Sequence, residues 1–331
     1  MKVLFRVSAG HHTGLGHLTR CIALAEAFSA HDIDSFFLIK SDDPHGLSQF
    51  LQNEEVIGLN YEFLPLACDK LTDVQRIKSH YEKGFSFLVL DHYEHDLSYQ
   101  QQLKDSGIKW AQFDHQAKER ILADIVINGN IAARKKDYRR LTNSETKLCI
   151  GYKFAIIRQS FSNQKSLLEK DRILIAMGGG TYSPEVLQSI NLLVAFEDFQ
   201  FDIVTCDEQV LNMVSNFANV TVHLNTVDVV SVYKKCEAAV VTGGVTTIEL
   251  AVLNVPMIVI PVANNQVLNS IAWHESNMAI SFSDIDSFNE YIKNCGLHCV
   301  INELKDKFRH RSISLDNNGR YRVAKVICEL I

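Results

Sequence analysis

Apolar runs of strand length alternate with amphipathic segments of helix length along most of the chain. In the first half the runs are KVLFRV at 2–7, DSFFLIK at 34–40, FSFLVLD at 85–91, KWAQFD at 109–114 and ADIVIN at 123–128, with helical spacing over 17–30 and 96–105 between them. Nearly continuous apolar strands separated by helices predict a parallel sheet covered on both faces. The polar stretch RQSFSNQKSLLEKDR at 158–172 interrupts this rhythm, and ILIAM at 173–177, followed by three glycines, restarts it. FQFDIVT, NVTVHL, EAAVVTGG and VPMIVIPV carry the second half, with helices expected over 184–195, 228–235 and 245–253. The pattern predicts an α/β chain of two similar halves: a domain over 1–157, a linker over 158–170 and a second domain over 171–312. In the last segment, 313–331, Val323, Val326, Ile327 and Leu330 fall on one stripe of an amphipathic helix that could pack back on the first domain.

Composition narrows the class. With 331 residues, 47% hydrophobic and 22% charged, the chain is long enough for two cores. It has no uncharged apolar run of about 18 residues and opens directly on a strand, so a cytoplasmic protein without membrane contact is expected. The formal charge of -6, with basic residues scattered except in ARKKDYRR at 133–140, does not imply a nucleic-acid partner. The eight cysteines lie mostly in apolar segments without paired CxxC clusters, which reads as buried free thiols in a reducing compartment. In CGLHC, Cys295, His298 and Cys299 could begin a metal site, but no second half with zinc-ligand spacing follows.

In open parallel sheets ligands bind beyond the carboxyl ends of strands, so the turns after FRV, LVLD, IAM, VVT and IPV carry the chemical interest. GLGHLTR at 14–20 has Gly14 and Gly16, but Thr19 stands where a dinucleotide fingerprint wants its third glycine. FFLIK ends in Lys40 where the ribose acid belongs, so a nicotinamide or flavin cofactor is not expected. What remains is a glycine turn that exposes backbone N–H groups at a helix start, suited to an anion, with His17 beside them. An imidazole titrates at about 6.5, so this residue type can take a proton from water at cellular pH. The plainer reading of His17 is a helix-capping side chain.

In VVTGGVTTIEL, Gly243, Gly244, Val245 and Thr246 offer backbone amides and a helix start for a diphosphate, and Glu249 could accept from ribose hydroxyls. Thr capping with Glu in the first turn is the purely structural alternative. Asn264, Asn265 and Gln266 follow the next apolar strand, where carboxamides can bond a sugar or merely shape a turn. MGGGTY adds Gly178, Gly179 and Gly180, suited to close backbone approach. LDHYEHD at 90–96 and FDH at 113–115 contain raw material for a metal site, but only Asp91 and Tyr93 belong to a strand end, and no metal is expected.

Two such halves, with a glycine–histidine turn in the first and a GG…T..E helix start in the second, resemble the GT-B nucleotide-sugar enzymes, in which two Rossmann-like domains face each other across a cleft. Residues 241–266 are similar to the UDP-binding half of the MurG-type N-acetylglucosaminyltransferases. The strand followed by G.GH..RC..LA, here Arg6, Gly14, Gly16, His17, Arg20, Cys21, Leu24 and Ala25, resembles the UDP-2,4-diacetamido-2,4,6-trideoxy-beta-L-altropyranose hydrolase family of pseudaminic acid biosynthesis. LDHY, FDH, GYKFAIIRQSF at 151–161, MGGGT, GGVTTIEL, Asn265 with Gln266, and DNNGRYRV extend the resemblance over nearly the whole chain.

The resemblance implies metal-independent hydrolysis of that UDP-sugar to UDP and free sugar by inverting attack of water. It implies His17 as general base, Gly14, Gly16, Tyr93, Asn265 and Gln266 at the sugar, and Gly178, Gly179, Gly243, Gly244, Val245, Thr246 and Glu249 at ribose and phosphates. Asn225 and Thr226 would read uracil. The protein is expected to be a monomer without cofactor, serving a pseudaminic or related nonulosonic acid found on flagellin or other surface glycans. Ser8 and Tyr182 stand where the family usually has acidic residues, which points to a related UDP-diamino-sugar. A GT-B glycosyltransferase with a non-water acceptor and a non-catalytic nucleotide-sugar binding protein are the alternatives.

Overall fold

The computed structural model describes residues 1–10, 13–52, 58–162, 169–178, 180–226 and 228–331. His11, His12, Gly179 and the linker positions 163–168 lie outside the described residues. The chain separates into two compact units, residues 1–159 with 317–331 and residues 160–316.

The first unit is built on a seven-stranded sheet. Its strands are β1 (Lys2–Ser8), β2 (Asp34–Lys40), β3 (Asn60–Leu64), β4 (Phe87–Asp91), β5 (Trp110–Phe113), β6 (Ile125–Asn128) and β7 (Lys147–Ile150). They run parallel in the order β3-β2-β1-β4-β5-β6-β7. β3 and β7 were not legible in the sequence, because NYEFL and KLCI are short, and only partly buried at several positions.

Side chains alternate across this sheet. Val3, Phe5 and Val7 face the helix Gly16–Ser29, packing against Leu18, Cys21 and Phe28, while Leu4, Leu88 and Leu90 meet Val74, Ile77, Tyr99 and Leu103 on the other face. Fully buried residues on both faces are what a parallel sheet covered by helices requires. The C-terminal helix Gly319–Cys328 presents Val323, Ala324 and Ile327 to the first of these cores.

The second unit repeats the plan with β8 (Glu169–Ala176), β9 (Gln200–Thr205), β10 (Val220–Leu224), β11 (Cys236–Thr242), β12 (Met257–Ile260) and β13 (Ala279–Ser281), all parallel in the order β10-β9-β8-β11-β12-β13. Both sheets therefore reverse their strand order beside their first strand, between β1 and β4 in one and between β8 and β11 in the other. At such a point the two connections leave toward opposite faces and open a crevice at the carboxyl edge.

The expectation of mostly buried thiols holds only in part. Cys21, Cys149 and Cys236 are buried, but Cys206, Cys295 and Cys299 are exposed. Gly296, with φ 78°, separates the helices that carry Cys295 and Cys299.

Candidate active site

The reversal point of the first sheet brings the ends of β1 and β4 together, with Val7 opposite Asp91 in register. After β1 the chain turns through a small antiparallel bridge in which Gly10 and Gly14 exchange both backbone hydrogen bonds. Gly14 holds φ 70°, a conformation that costs a residue with a Cβ about 1–2 kcal/mol. Gly16 then begins the helix, which places His17 in its first turn and Arg20 one turn later on the same face.

His17 does not cap this helix, since the N-cap is Leu15 and no side chain bonds there. Its ring, 7% exposed, turns instead toward the end of β4, where Nδ1 lies 2.5 Å from Asp91 Oδ1. Arg20 grips the same carboxylate in a fork, Nε donating to Oδ2 at 2.5 Å and Nη2 to Oδ1. Burial of Asp91 opposes ionisation, but the charge and hydrogen bonds of Arg20, supported by His17, hold its carboxyl well below the usual range. An ionised carboxylate accepts only, so His17 Nδ1 carries the proton between them, and in the neutral tautomer of the ring the lone pair is on Nε2. That nitrogen meets the Tyr93 hydroxyl at 3.0 Å, with the two rings edge-on.

Arg20 also orders the next strand end. Its guanidinium stacks 4.4 Å over Phe113, the last residue of β5, and Nη2 reaches His115 Nε2 at 3.1 Å. Ligand atoms of His17, Asp91 and His115 lie within 4.8 Å of one another, close enough in principle to share a metal ion. The permanently charged Nη2 of Arg20 contacts all three, so the negative charge that would attract a cation is already matched. Beside this network lies a cavity of about 330 Å³ lined by Asp91, Tyr93, His95, Gln112, Asp114 and His115 among others.

Sequence reasoning singled out His17, Gly14, Gly16 and Tyr93, and the structure gathers them in one turn and strand end. It missed the roles of Asp91, Arg20 and His115. The spacing of His17 and Arg20, three residues apart in a helix beginning at Gly16, was the available signal. Arg6, from the same motif, points to the opposite sheet face, where Nε donates to both oxygens of buried Asp73 at 2.9 and 2.8 Å.

In the second unit, Gly178 follows β8, and Gly243 and Gly244 follow β11, at the other reversal point. Val245 and Thr246 then open the helix Thr246–Leu253, with Glu249 in its first turn and Thr247 Oγ1 donating to Gly244 O at 2.7 Å. Gln266 braces two of these turns, its Oε1 accepting from Gly243 N at 3.3 Å and Val262 N at 3.0 Å. A Cβ on Gly243 would stand 2.8 Å from Gln266 Cβ. Asn265 is exposed in the adjoining 3-10 turn Asn264–Gln266. Tyr182 is buried, with its hydroxyl bonded to Gly178 O and its N–H to Asp207, so it supports the glycine turn. Asn225 and Thr226 follow β10 at the same carboxyl edge, Asn225 with φ 51°.

No family profile matches the chain. It is 27% identical over 182 residues, 54% of its own length, to the UDP-2,4-diacetamido-2,4,6-trideoxy-beta-L-altropyranose hydrolase of Campylobacter jejuni. The match spans 61% of that relative's length. The fold is that of MurG from Acinetobacter baumannii (TM-score 0.66, 14% identity, 99% of this chain and 100% of that one). It is also that of S. aureus MnaA in complex with UDP (TM-score 0.68, 12% identity, 100% and 98%) and of the UDP-GlcNAc 2-epimerase of Neisseria meningitidis bound to UDP-GlcNAc (TM-score 0.64, 12% identity, 99% and 100%). The chain therefore has the GT-B fold of two parallel-sheet α/β units, and in sequence it is similar to a UDP-sugar hydrolase.

Proposed function

We propose that the protein hydrolyses a UDP-linked 2,4-diacetamido-2,4,6-trideoxy hexose, the beta-L-altropyranose or a close relative, to UDP and the free sugar. The observation that carries this reading is the Asp91–His17 pair, with Nε2 of His17 turned to the hydroxyl of Tyr93, which together with Asp91 lines the neighbouring cavity. In the proposed step His17 Nε2 removes a proton from water, the water oxygen bonds to the anomeric carbon from the face opposite UDP, and the electrons of the broken C–O bond leave with the diphosphate. Asp91 holds the imidazole in the required tautomer and balances its charge once protonated. Tyr93, whose hydroxyl stands at the base, would order the water or a sugar hydroxyl.

The unit made of 1–159 and 317–331 would carry the base and the sugar, and the unit 160–316 the nucleotide. There the amides of Gly178, Gly179, Gly243, Gly244, Val245 and Thr246 would meet phosphates, Glu249 the ribose, and Asn225 and Thr226 the uracil, while Asn265 would reach the sugar. Gln266 would act through the turn it braces. The similarity to the Campylobacter jejuni hydrolase supports the substrate class, and the proposal extends to a cytoplasmic monomer serving pseudaminic or related nonulosonic acid synthesis.

The test is release of UDP by the purified protein from the UDP-sugar without any acceptor, with EDTA present. Hydrolysis requires stoichiometric UDP and free sugar, undiminished by the chelator. Release only after an acceptor alcohol is added would replace this reading with glycosyl transfer, and UDP-sugar binding with no release would leave a binding protein.

A further inference from the structure

The hydrogens of one arginine fix the state of a histidine that the proposed reaction does not use. A guanidinium donates only, and Arg20 Nη2 has two hydrogens. One is spent on Asp91 Oδ1, and His17 Nδ1 cannot take the other because it carries its own proton toward Asp91. The second hydrogen goes to His115 Nε2 at 3.1 Å. His115 therefore holds its lone pair toward Arg20 and its own hydrogen on Nδ1. Among the described residues no group accepts from Nδ1, and the ring lines the cavity beside the base. Burial first, and the charge of Arg20 second, push the His115 pKa down to about 3, so the imidazole is neutral near pH 7.

Two carboxylates facing this cavity, Asp114 and Asp96, are already engaged. Asp114 Oδ2 accepts from the Tyr138 hydroxyl at 2.6 Å and from the N–H groups of Gln116 and Ala117. Asp96 takes Lys70 at 2.6 Å and caps the helix Leu97–Asp105 through Tyr99 N. A ligand group placed against His115 thus meets a fixed N–H donor with a buried cation behind it. That combination favours a carbonyl oxygen and opposes an ammonium.

We propose that His115 is a specificity-determining residue, donating from Nδ1 to the carbonyl oxygen of an acylamino group on the sugar, so that the site selects N-acylated over free amino sugars. This inference rests on the reading that the sugar of a UDP-sugar occupies this cavity.

The test separates the two claims by measuring binding where hydrolysis is disabled. In a His17→Asn background, calorimetry compares UDP-2,4-diacetamido-2,4,6-trideoxy hexose, the same sugar nucleotide with the 4-amino group free, its isomer with the 2-amino group free, and UDP alone. The parent should prefer the diacetamido sugar over one of the two amines by 100-fold or more. Adding His115→Ala should weaken the diacetamido sugar by about 10- to 100-fold, leave that amine and UDP within about threefold, and shrink the preference accordingly. His115→Gln, which supplies both an acceptor for Arg20 and a donor for the ligand, should restore most of it. Equal weakening of all sugars, or none, would overturn the assignment, and lost UDP affinity would mark a folding defect to be judged on the Gln variant alone. Failure of the wild-type protein to release UDP would sink the hydrolase reading without touching the binding result.

Discussion

Each unit contains a histidine and an arginine joined through an aspartate, and the two groups have different surroundings. In the first, Asp91 binds His17 and Arg20. In the second, Asp202 binds His223 Nε2 at 2.6 Å and Arg172 Nη1 at 2.7 Å. Asp91 is the last residue of β4, beside the reversal point, and its histidine lies in the first turn of a helix. Asp202 is the third residue of β9, Arg172 lies within β8 and His223 within β10, so that trio staples neighbouring strands across their faces. The residue types are the same, but only the first group stands where backbone leaves the sheet and a cavity can open. Position at the carboxyl edge, more than composition, separates a site from a staple.

The largest expected effect breaks this comparison directly. His17→Asn and Asp91→Asn should each lower the rate of UDP release by about 10²- to 10⁴-fold, the first by removing the base and the second by allowing the wrong imidazole tautomer. Affinity for UDP should stay within a few-fold in both. Asp202→Asn should leave kcat within about twofold. A dead Asp202 variant alongside an active Asp91 variant would reverse the roles assigned to the two groups.

Much of this architecture could be read from the chain. Apolar runs such as FLVL and AAVVT, too continuous for a one-sided sheet, gave the parallel α/β fold, and GLGH and VVTGG marked the turns that the topology places at both reversal points. Asp91 was harder to assign, because LDHY lies 74 positions from His17 in the chain and only strand order makes them neighbours. His115 was harder still, since its tautomer depends on a hydrogen count at Arg20. Edge strands such as NYEFL escaped notice for a physical reason: half-buried strands lack the unbroken apolar signal of central ones.

Next in size is the glycine turn after β11 in the second unit. Gly243→Ala places a methyl 2.8 Å from Gln266 Cβ and 3.0 Å from Ser270 Oγ, so the 3-10 turn Asn264–Gln266 and the helix Val267–Glu275 after it must shift or the glycine turn must open. UDP affinity should fall by about 10-fold or more, and Gln266→Ala, which removes the brace without a clash, should cost less. Unchanged affinity in the glycine variant would remove this turn from the phosphate site.

The staple should declare itself in stability. Asp202→Ala leaves Arg172 and His223 without their carboxylate, but both are about 25% exposed and partly rehydrate. The expected loss is about 1–3 kcal/mol in urea unfolding, below the 3–5 kcal/mol typical of a fully buried pair. A loss under about 0.5 kcal/mol would show that strand packing alone holds these three strands together.

The smallest effect sharpens the comparison by titrating the first unit alone. His115 is held near pKa 3 when folded and returns to about 6.5 when unfolded. Between those values the unfolded chain binds a proton that the folded chain refuses, so this residue lowers stability as pH falls through about 6.5 toward 3 and contributes little to the slope above about pH 7.5. At pH 5.5 the loss should be about 1 kcal/mol relative to pH 7.5. His115→Gln cannot titrate, so its stability should fall less than that of the wild type over the same interval. Urea unfolding of both proteins at the two pH values measures the difference directly, and parallel curves would mean that His115 takes up its proton as readily in the folded state as in the unfolded one, so that Arg20 does not hold the ring neutral and the fixed donor facing the sugar is lost.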